Sequence, residues 1–338
     1  MKSAGSSDPL PSAPAEGQSL PVVDAHHHLW DLSQGHYPWL QESYDADAFF
    51  LGDYRPICQD FLAADYQSAT HPCEVIATVH VEAERSRLQQ LTETAWLHEV
   101  HARHGFPNAV VAHAWFDRPE SEEYLFAQSQ FPLVRGIRNK PVTATTPEQS
   151  VKGKAGTMQD EAWLRGFSLL EKYGLRWDLR VPAWHLPEAA AVASMFPQVP
   201  IALNHHGFAW DRSEEGLRRW RGWMETLARQ ENVHVKLSEF GLRDHAWNWD
   251  ENARIVRDTL AIFGWQRCMF ASNFPVASLR IGYSELVSSM LRMLDTLPAD
   301  QQRAVMCDNA LRFYAIDVPP PVASLQTYTP SHPSESTA

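Results

Sequence analysis

The sequence has few cysteines and no cluster of basic residues. Cys58, Cys73, Cys268 and Cys307 are its four cysteines, and no two of them form a CxxC pair. Disulfide frameworks and cysteine zinc sites need denser patterns, so we expect reduced thiols and a cytoplasmic protein. The formal net charge is −12. Nucleic acid is therefore not an expected partner, because phosphate binding requires clustered Lys and Arg.

Long apolar runs are missing as well. No stretch of about 18 apolar residues occurs, so we predict neither a transmembrane helix nor a membrane partner. The first 20 residues lack the apolar centre of a signal peptide. Both ends are rich in Ser and Pro, and we expect disordered tails at 1–20 and 319–338. With 44% hydrophobic residues in the chain, we expect residues 21–318 to form one domain with a sizeable core.

Eight short apolar runs alternate with longer helix-like segments. The runs cover residues 21–28, 73–83, 108–116, 133–139, 175–181, 199–206, 233–240 and 267–274. Such alternation predicts parallel βαβ units, and eight units in about 300 residues favour a single (β/α)8 TIM barrel over a doubly wound sheet. Irregular stretches after strands 1 and 4 predict long loops on the catalytic face, with some distortion of the barrel.

Polar side chains stand at the ends of all eight predicted strands. They are His26, His28, His80, Glu82, His113, Arg135, Arg138, Asp178, Arg180, His185, Asn204, His205, His206, Lys236, Glu239 and Asn273. Barrel enzymes carry their chemistry at the carboxyl ends of the strands. Packing alone requires none of these side chains, so their coincidence at one end indicates an enzyme.

The stretch "PVVDAHHHLWD" places three histidines on the first strand. Alternate residues of a strand face opposite sides, so His26 and His28 would share the barrel axis and His27 would face outward. Two imidazoles side by side suit metal ligation. The same alternation predicts that Asp24 lies on the axial face as an orienting group. His80 and His113 are predicted to be hydrogen-bonded core residues, and Lys236 a buried ion-pair partner or a functional group.

Several motifs resemble one family. "VVDAHHHLWD" with "YPWL", and then "VRGIRN", "NHHG", "VHVKLSEFG", "FASNFPV" and "DNALRFYAID", occur in its order. The chain is similar, over roughly residues 20–318, to the sugar-acid lactonases of the amidohydrolase superfamily. That group includes L-fuconolactonases, L-rhamnonolactonases and the metal-independent 2-pyrone-4,6-dicarboxylate lactonases. The resemblance implies the same (β/α)8 barrel.

The resemblance also implies site residues. His26, His28 and His205 would hold one divalent cation, zinc or manganese, or would act directly as hydrogen-bond donors. The family's strand 8 acid is replaced here by Asn273, which implies a weakly held or absent metal and a different general base. We rank His205 first for that base, then Glu239, then Glu82. No organic cofactor is expected.

The expected reaction is the opening of a lactone ring by water on a small molecule that carries a carboxylate or resembles a sugar acid. We expect Arg138 and Arg180 to bind the carboxylate, and Glu82, His185 and Trp39 to contact the substrate. Trp30 and Tyr37 are expected to cover the pocket with Trp39. The alternatives are a non-oxidative decarboxylase of the same superfamily and a non-catalytic binding barrel for carboxylates or sugar acids. A homodimer is left open.

Overall fold

The computed structural model describes residues 20–318, so the tails predicted at 1–20 and 319–338 lie outside it apart from residue 20. Eight parallel strands follow one another around a (β/α)8 barrel in the order β1 to β8. The strands are Val22–His27 (β1), Val75–Val81 (β2), Ala109–Ala112 (β3), Val134–Ile137 (β4), Arg176–Leu179 (β5), Ile201–Leu203 (β6), Val233–Leu237 (β7) and Cys268–Phe270 (β8). Each lies within one of the eight predicted runs, so the predicted fold class is confirmed.

Helices surround the strands. Within the described range they are Pro38–Gln41 (α1), Ala63–Thr70 (α2), Gln90–His104 (α3), Ser121–Ser129 (α4), Glu161–Lys172 (α5), Leu186–Met195 (α6), Glu214–Ala228 (α7), Trp249–Phe263 (α8), Tyr283–Met293 (α9), Ala299–Arg303 (α10) and Asn309–Tyr314 (α11). The Ser213 hydroxyl caps α7 by accepting the Gly216 N–H at 3.0 Å. None of these helices is long and apolar enough to cross a membrane.

The barrel is closed by the segment that follows β8. The backbone N–H of Asn273 donates to the His26 carbonyl at 2.7 Å, and the N–H of His28 donates to the Phe274 carbonyl at 2.7 Å. These bonds join the end of β1 to the chain just beyond β8. We call this contact the seam. It places Asn273 directly beside the two predicted site histidines.

A β-bulge interrupts β1 next to the seam. Asp24 pairs with Thr78 of β2, whereas His27 pairs with His80. Three steps along β1 therefore match two steps along β2, so β1 carries one extra residue. The extra residue shifts the alternation of side chains, so residues before and after it no longer follow a single period of two.

The bulge overturns the expectation that Asp24 shares the axial face. Its carboxylate accepts hydrogen bonds from Tyr66 Oη of α2 at 2.8 Å and from Tyr283 Oη of α9 at 3.3 Å, on the helix side of the sheet. It also accepts from the Ser272 hydroxyl at 2.6 Å and the Ser272 N–H at 2.8 Å. Asp24 therefore holds β1 to the end of β8 from outside the barrel. His27 also faces this side, as expected, with its ring 4.4 Å from that of Tyr66.

The inside of the barrel is packed with small and medium apolar side chains. They are Val23, Ala25, Ala77, Val79, Val81, Ala109, Val111, Ala202, Met269 and Ala271. Phe313 and Tyr314 of α11 pack against them from the amino ends of the strands. A separate and larger cluster fills the space between strands and helices. The amino end of the barrel is therefore filled by α11, and a cavity lies at the carboxyl ends of the strands.

Candidate active site

A cavity lies at the carboxyl ends of the strands, as the sequence predicted for the catalytic face. Its walls are His28, Trp39, Phe49, Phe50, Ala83, Glu84, Arg138, Lys140, Arg180, His205, Asn273 and Val276. The long loop after β1 contributes three aromatic rings, and the start of the loop after β4 contributes Arg138 and Lys140. Both predicted long loops therefore border the cavity.

His28 presents an unprotonated nitrogen at the cavity. Its Nδ1 lies 2.7 Å from the Val81 carbonyl oxygen. Because a carbonyl only accepts, the His28 proton must be on Nδ1, and Nε2 then carries a lone pair when the ring is neutral. Burial, followed by the charge of Arg138, lowers the pKa of His28 well below its usual value. His28 is therefore a neutral imidazole whose Nε2 can accept a proton.

His26 lies behind His28 and does not line the cavity. Its Nε2 is 3.3 Å from Nε2 of His28 and 3.5 Å from Nη1 of Arg138. Its Nδ1 is 3.4 Å from the ammonium nitrogen of Lys236. Burial and then Lys236 lower the pKa of His26 well below its usual value, so this ring is neutral as well.

His205 lies at the end of β6 in the left-handed region of backbone conformation, with φ of 56°. Its ring centroid is 4.7 Å from that of His26, and its Nδ1 is 2.8 Å from the hydroxyl oxygen of Ser238. Donation by the Ser238 hydroxyl to Nδ1 gives that hydroxyl an acceptor and leaves the His205 proton on Nε2. Burial and then Arg180 keep the pKa of His205 well below its usual value.

Asn273 connects Glu239 to His28. Its Nδ2 donates to Oε2 of Glu239 at 2.5 Å, and its Oδ1 lies 3.2 Å from Nε2 of His28. Glu239 is buried and does not line the cavity, and in the described range no cation forms an ion pair with it. Burial raises the pKa of Glu239 to about 7. The predicted residues of strands 1, 6, 7 and 8 are thus brought together.

A network of paired ions borders the other side of the cavity. Glu82 accepts from Nε of Arg138 at 2.6 Å and from Nη1 of Arg87 at 2.8 Å. Glu84 contacts Arg87 at 2.6 Å and also contacts Lys140. Burial opposes ionisation of Glu82, but Arg138, Arg87 and Lys140 outweigh it and hold its pKa well below the usual value. Glu82 lies behind Arg138 and does not reach the cavity wall.

Arg180 is the exception among the cations of the cavity. Its guanidinium lies 5.1 Å from the ring centre of Phe208 and 5.8 Å from that of Phe50. Within residues 20–318 no acceptor or carboxylate contacts it. Burial, followed by Arg138, lowers the pKa of Arg180 to about 10. An arginine held between two rings with free N–H groups is suited to binding an anion.

The predicted aromatic cover is only partly present. Trp39 lines the cavity, whereas Trp30 and Tyr37 are fully buried in the separate core of the loop after β1. Phe49 and Phe50 take the predicted place at the cavity wall. His185 also lies away from the wall, where its Nε2 accepts the Ala144 N–H at 2.8 Å. His80 and His113 are hydrogen-bonded in the core, as expected.

Ser238 contributes to the site although it is not among the predicted site residues. Its "LSEF" context in the sequence gives no sign that its hydroxyl contacts the His205 ring. Lys236 forms a buried ion pair with Asp178, which is one of its two predicted roles. The signal for Lys236 was a lysine in the middle of an apolar strand, where a charge needs a partner.

His26 and His28 have the spacing of two metal ligands. The two Nε2 atoms are 3.3 Å apart, close to the spacing of two ligands that each lie about 2.0–2.1 Å from one zinc ion. Within the described part of the chain, however, no group of three His, Cys, Asp or Glu side chains could hold a metal ion. Lys236 and Arg138 also place two positive charges beside His26. These residues do not fit a tightly held dication, and the zinc or manganese ion stays a prediction.

Comparison with known proteins places the chain in a family. The family model described as amidohydrolase matches residues 23–316. An uncharacterised protein of Sinorhizobium fredii is 33% identical, with 88% of this chain and 99% of the relative covered. An L-fucono-1,5-lactonase of Burkholderia multivorans is 27% identical, with 88% and 97% covered.

Solved structures share the fold. An amidohydrolase of Burkholderia multivorans, crystallised with bound HEPES, has a TM-score of 0.72 and 24% identity, covering 88% of this chain and 99% of that one. A second crystal form has bound zinc and a TM-score of 0.71. A 5-carboxyvanillate decarboxylase of Sphingomonas paucimobilis has a TM-score of 0.58 and 15% identity, covering 88% of this chain and all of that one. The fold alone therefore does not choose between hydrolysis and decarboxylation.

Proposed function

The chain is a hydrolase of the amidohydrolase family, and we propose that it opens the ring of a lactone that carries a carboxylate. The 27% identical relative that is named L-fucono-1,5-lactonase supports lactone hydrolysis. The guanidinium of Arg180 has no ion-pair partner, which supports a carboxylate on the substrate. This is the observation on which the proposal mainly depends. Arg138 and Lys140 already have carboxylate partners, so Arg180 is the cation left to bind the substrate.

The histidines supply a donor and an acceptor for the reaction. In the proposed reaction the lactone carbonyl oxygen accepts the Nε2–H of His205, while a water molecule lies against the lone pair on Nε2 of His28. As the water oxygen attacks the carbonyl carbon, its proton passes to His28, and His205 stabilises the oxyanion. One such donor contributes roughly 3–4 kcal/mol of transition-state stabilisation.

Collapse of the intermediate breaks the bond between the carbonyl carbon and the ring oxygen. The proton held by His28 then passes to the departing alkoxide, which becomes a hydroxyl. The new carboxylic acid loses its proton to solvent, so each turnover releases one proton. On this reasoning the acceptor is His28, ahead of His205 and Glu239, and Glu239 acts through Asn273 by orienting its amide.

The test is proton release from matched lactones. One lactone carries a carboxylate, and its partner carries a hydroxymethyl group at the same position. The wild type is expected to prefer the carboxylate by about 10²-fold in kcat/KM, which equals the contribution of a charged contact of about 3 kcal/mol. Arg180→Met should abolish that preference. Arg221→Met, which removes a guanidinium paired with Asp258 outside the cavity, is the matched control and should keep it.

Two results would contradict the proposal. Release of carbon dioxide from the carboxylate compound, without proton release from any lactone, would identify the decarboxylase of the same superfamily. Binding of carboxylates without any turnover would identify a non-catalytic barrel. His205→Ala should lower kcat by about 10²–10³-fold on the preferred lactone, because it removes the oxyanion donor.

A further inference from the structure

A second pocket lies immediately outside the active-site cavity, and we call it the outer pocket. Six residues line both spaces: Trp39, Phe49, Phe50, Glu84, Lys140 and Arg180. Farther out, the walls of the outer pocket include Ala48 and Trp210, which lie beyond the inner cavity. Arg180 therefore stands at the boundary, and a ligand that binds its guanidinium can have one end in each space.

One wall of the outer pocket is aromatic. Trp39 and Phe49 stack nearly parallel, with ring centres 5.9 Å apart and planes inclined by 14°. Phe50 continues this wall, with its ring centre 4.9 Å from that of Phe49. The indole N–H of Trp39 donates to the Ala83 carbonyl at 3.0 Å, so the ring presents an apolar surface to the pocket. All three rings are half-buried, and each leaves some apolar surface that a ligand can cover.

The outer pocket also has charged walls, but these charges already have protein partners. Arg85 donates from Nε to Oε1 of Gln89 at 2.9 Å and from Nη2 to a backbone carbonyl at 2.8 Å. Arg87 and Lys140 pair with the two glutamates of the ion network described above. A second anion on the substrate would have to compete with these contacts, whereas Arg180 has free N–H groups. The outer pocket therefore suits an apolar group better than a second carboxylate.

The aromatic wall is held in place by arginines from two other loops. Arg243, in the loop after β7, donates to the Asp47 carbonyl at 2.7 Å and also to the Phe49 carbonyl. Arg280, which follows β8, donates to the Leu51 carbonyl. Hydrogen bonds from a charged donor are stronger than those between neutral groups. The protein itself thus fixes the loop that carries the rings, as is typical of pre-formed ligand sites.

We propose that the substrate carries a planar apolar ring, such as a phenyl group, beyond its carboxylate, and that this ring lies on the wall formed by Trp39, Phe49 and Phe50. The inference rests on the proposed function, which places the lactone in the inner cavity and its carboxylate at Arg180. A planar ring matches this wall better than a puckered one, because flat faces stack in close contact. The substrate class is then an aryl-substituted lactone carboxylate.

Binding of three carboxylates that cannot be hydrolysed tests the ring without turnover. Butanoate, 4-phenylbutanoate and 4-cyclohexylbutanoate share the carboxylate and differ in the group beyond it. In isothermal titration calorimetry the wild type should bind 4-phenylbutanoate about 10–10²-fold more tightly than butanoate, with 4-cyclohexylbutanoate between them. Equal affinities for butanoate and 4-phenylbutanoate would overturn the proposal, and so would a cyclohexyl compound that binds as tightly as the phenyl compound.

Two variants test where the ring binds. Phe49→Ala removes part of the aromatic wall, and Ala48→Trp fills the outer pocket. Each should lower the ratio of the 4-phenylbutanoate and butanoate affinities to below about threefold. Phe126→Ala, the matched control, removes a ring of α4 that is 53% exposed, and the wild-type ratio should remain. A wild-type ratio in either folded pocket variant would show that the phenyl group binds elsewhere and would overturn the proposal.

Failure of the proposed function gives a different result. Arg180→Met should weaken the binding of all three carboxylates by a similar factor, and unchanged affinities would contradict the carboxylate site of the proposed function. If no lactone releases a proton while 4-phenylbutanoate keeps its advantage, the proposed function fails and the aryl site remains. If lactones are hydrolysed and the phenyl group gives no advantage, only the present inference fails.

Discussion

Charged side chains are arranged differently on the two sides of the barrel mouth, one formed by the ends of β2 and β4 and the other by the ends of β5 to β8. At the ends of β2 and β4, Glu82 and Glu84 together bind three cations, Arg87, Arg138 and Lys140. At the ends of β5 and β7 neither Arg180 nor Glu239 has an ion-pair partner within residues 20–318. Burial leaves one arginine with a pKa of about 10 and one carboxyl with a pKa of about 7.

The comparison separates scaffold from chemistry. Paired ions satisfy one another and hold the loops that carry them, whereas an unpaired buried ion costs stability and is free to bind something else. His205, Glu239 and Asn273 have positive φ angles of 56°, 52° and 58°, and Glu84 on the paired side has one of 58°. Unfavourable backbone conformations and unpaired charges are typical of functional sites.

The largest expected effect is on the paired side. Glu82→Gln leaves Arg138 buried without its carboxylate, and we expect a loss of about 3–5 kcal/mol in the free energy of unfolding. Urea denaturation followed by circular dichroism measures it. A loss below about 1 kcal/mol would show that this network is not the scaffold.

On the unpaired side, the contribution of Glu239 to stability should depend on pH. Its folded pKa of about 7 lies above the ordinary value of 4.5, so the folded state binds the proton more tightly. The contribution of Glu239 to stability is therefore full below about pH 4.5 and is lost as the pH rises to about 7. Glu239→Gln should gain up to about 3 kcal/mol relative to the wild type between pH 5 and pH 8, measured by urea denaturation at each pH. A difference that does not vary with pH would contradict the assignment.

Arg180 should respond in the opposite sense to Glu82. Arg180→Met removes a half-buried charge without an ion-pair partner, so we expect a free energy of unfolding equal to that of the wild type or up to about 1 kcal/mol higher. The gain is small because the two ring contacts of the guanidinium are also lost. Thermal unfolding of Arg180→Met and of Glu82→Gln under the same conditions compares the two effects on stability. A loss as large as that of Glu82→Gln would mean that Arg180 belongs to the scaffold.

The smallest effect is expected where the paired network reaches solvent. Glu84 is one-third exposed, and its pairs with Arg87 and Lys140 are partly screened. Glu84→Gln should therefore change the free energy of unfolding by less than about 1 kcal/mol. The same denaturation assay measures it, and an effect near that of Glu82→Gln would remove the distinction between buried and exposed pairs.

The strands and their polar ends could be predicted from sequence because both are local features. Apolar runs identify β1 to β8 in order, and the residue that follows each run must lie at the same end of the barrel. That reasoning brought His28, Arg138, Arg180, His205 and Asn273 to one cavity.

The parts that sequence reasoning missed depend on pairing between distant strands. The bulge in β1 appears only when its register against β2 is known, so the face of Asp24 was wrong. The partner of Lys236 lies 58 residues away, and nothing near either residue in sequence indicates the pair. Which arginine lacks a partner is likewise a matter of tertiary contacts, since Arg138 and Arg180 look alike in sequence.

The seam makes position 273 important for both the barrel and the site. The Asn273 backbone closes the barrel through the His26 carbonyl, and its φ of 58° is a conformation that Asn and Asp adopt more readily than other side chains except glycine. An exchange between amide and carboxylate keeps the donor of the closing hydrogen bond, which is a backbone N–H, but removes the side-chain donor to Oε2 of Glu239. At this one residue, closure of the barrel depends on the backbone, and the charge of the site depends on the side chain.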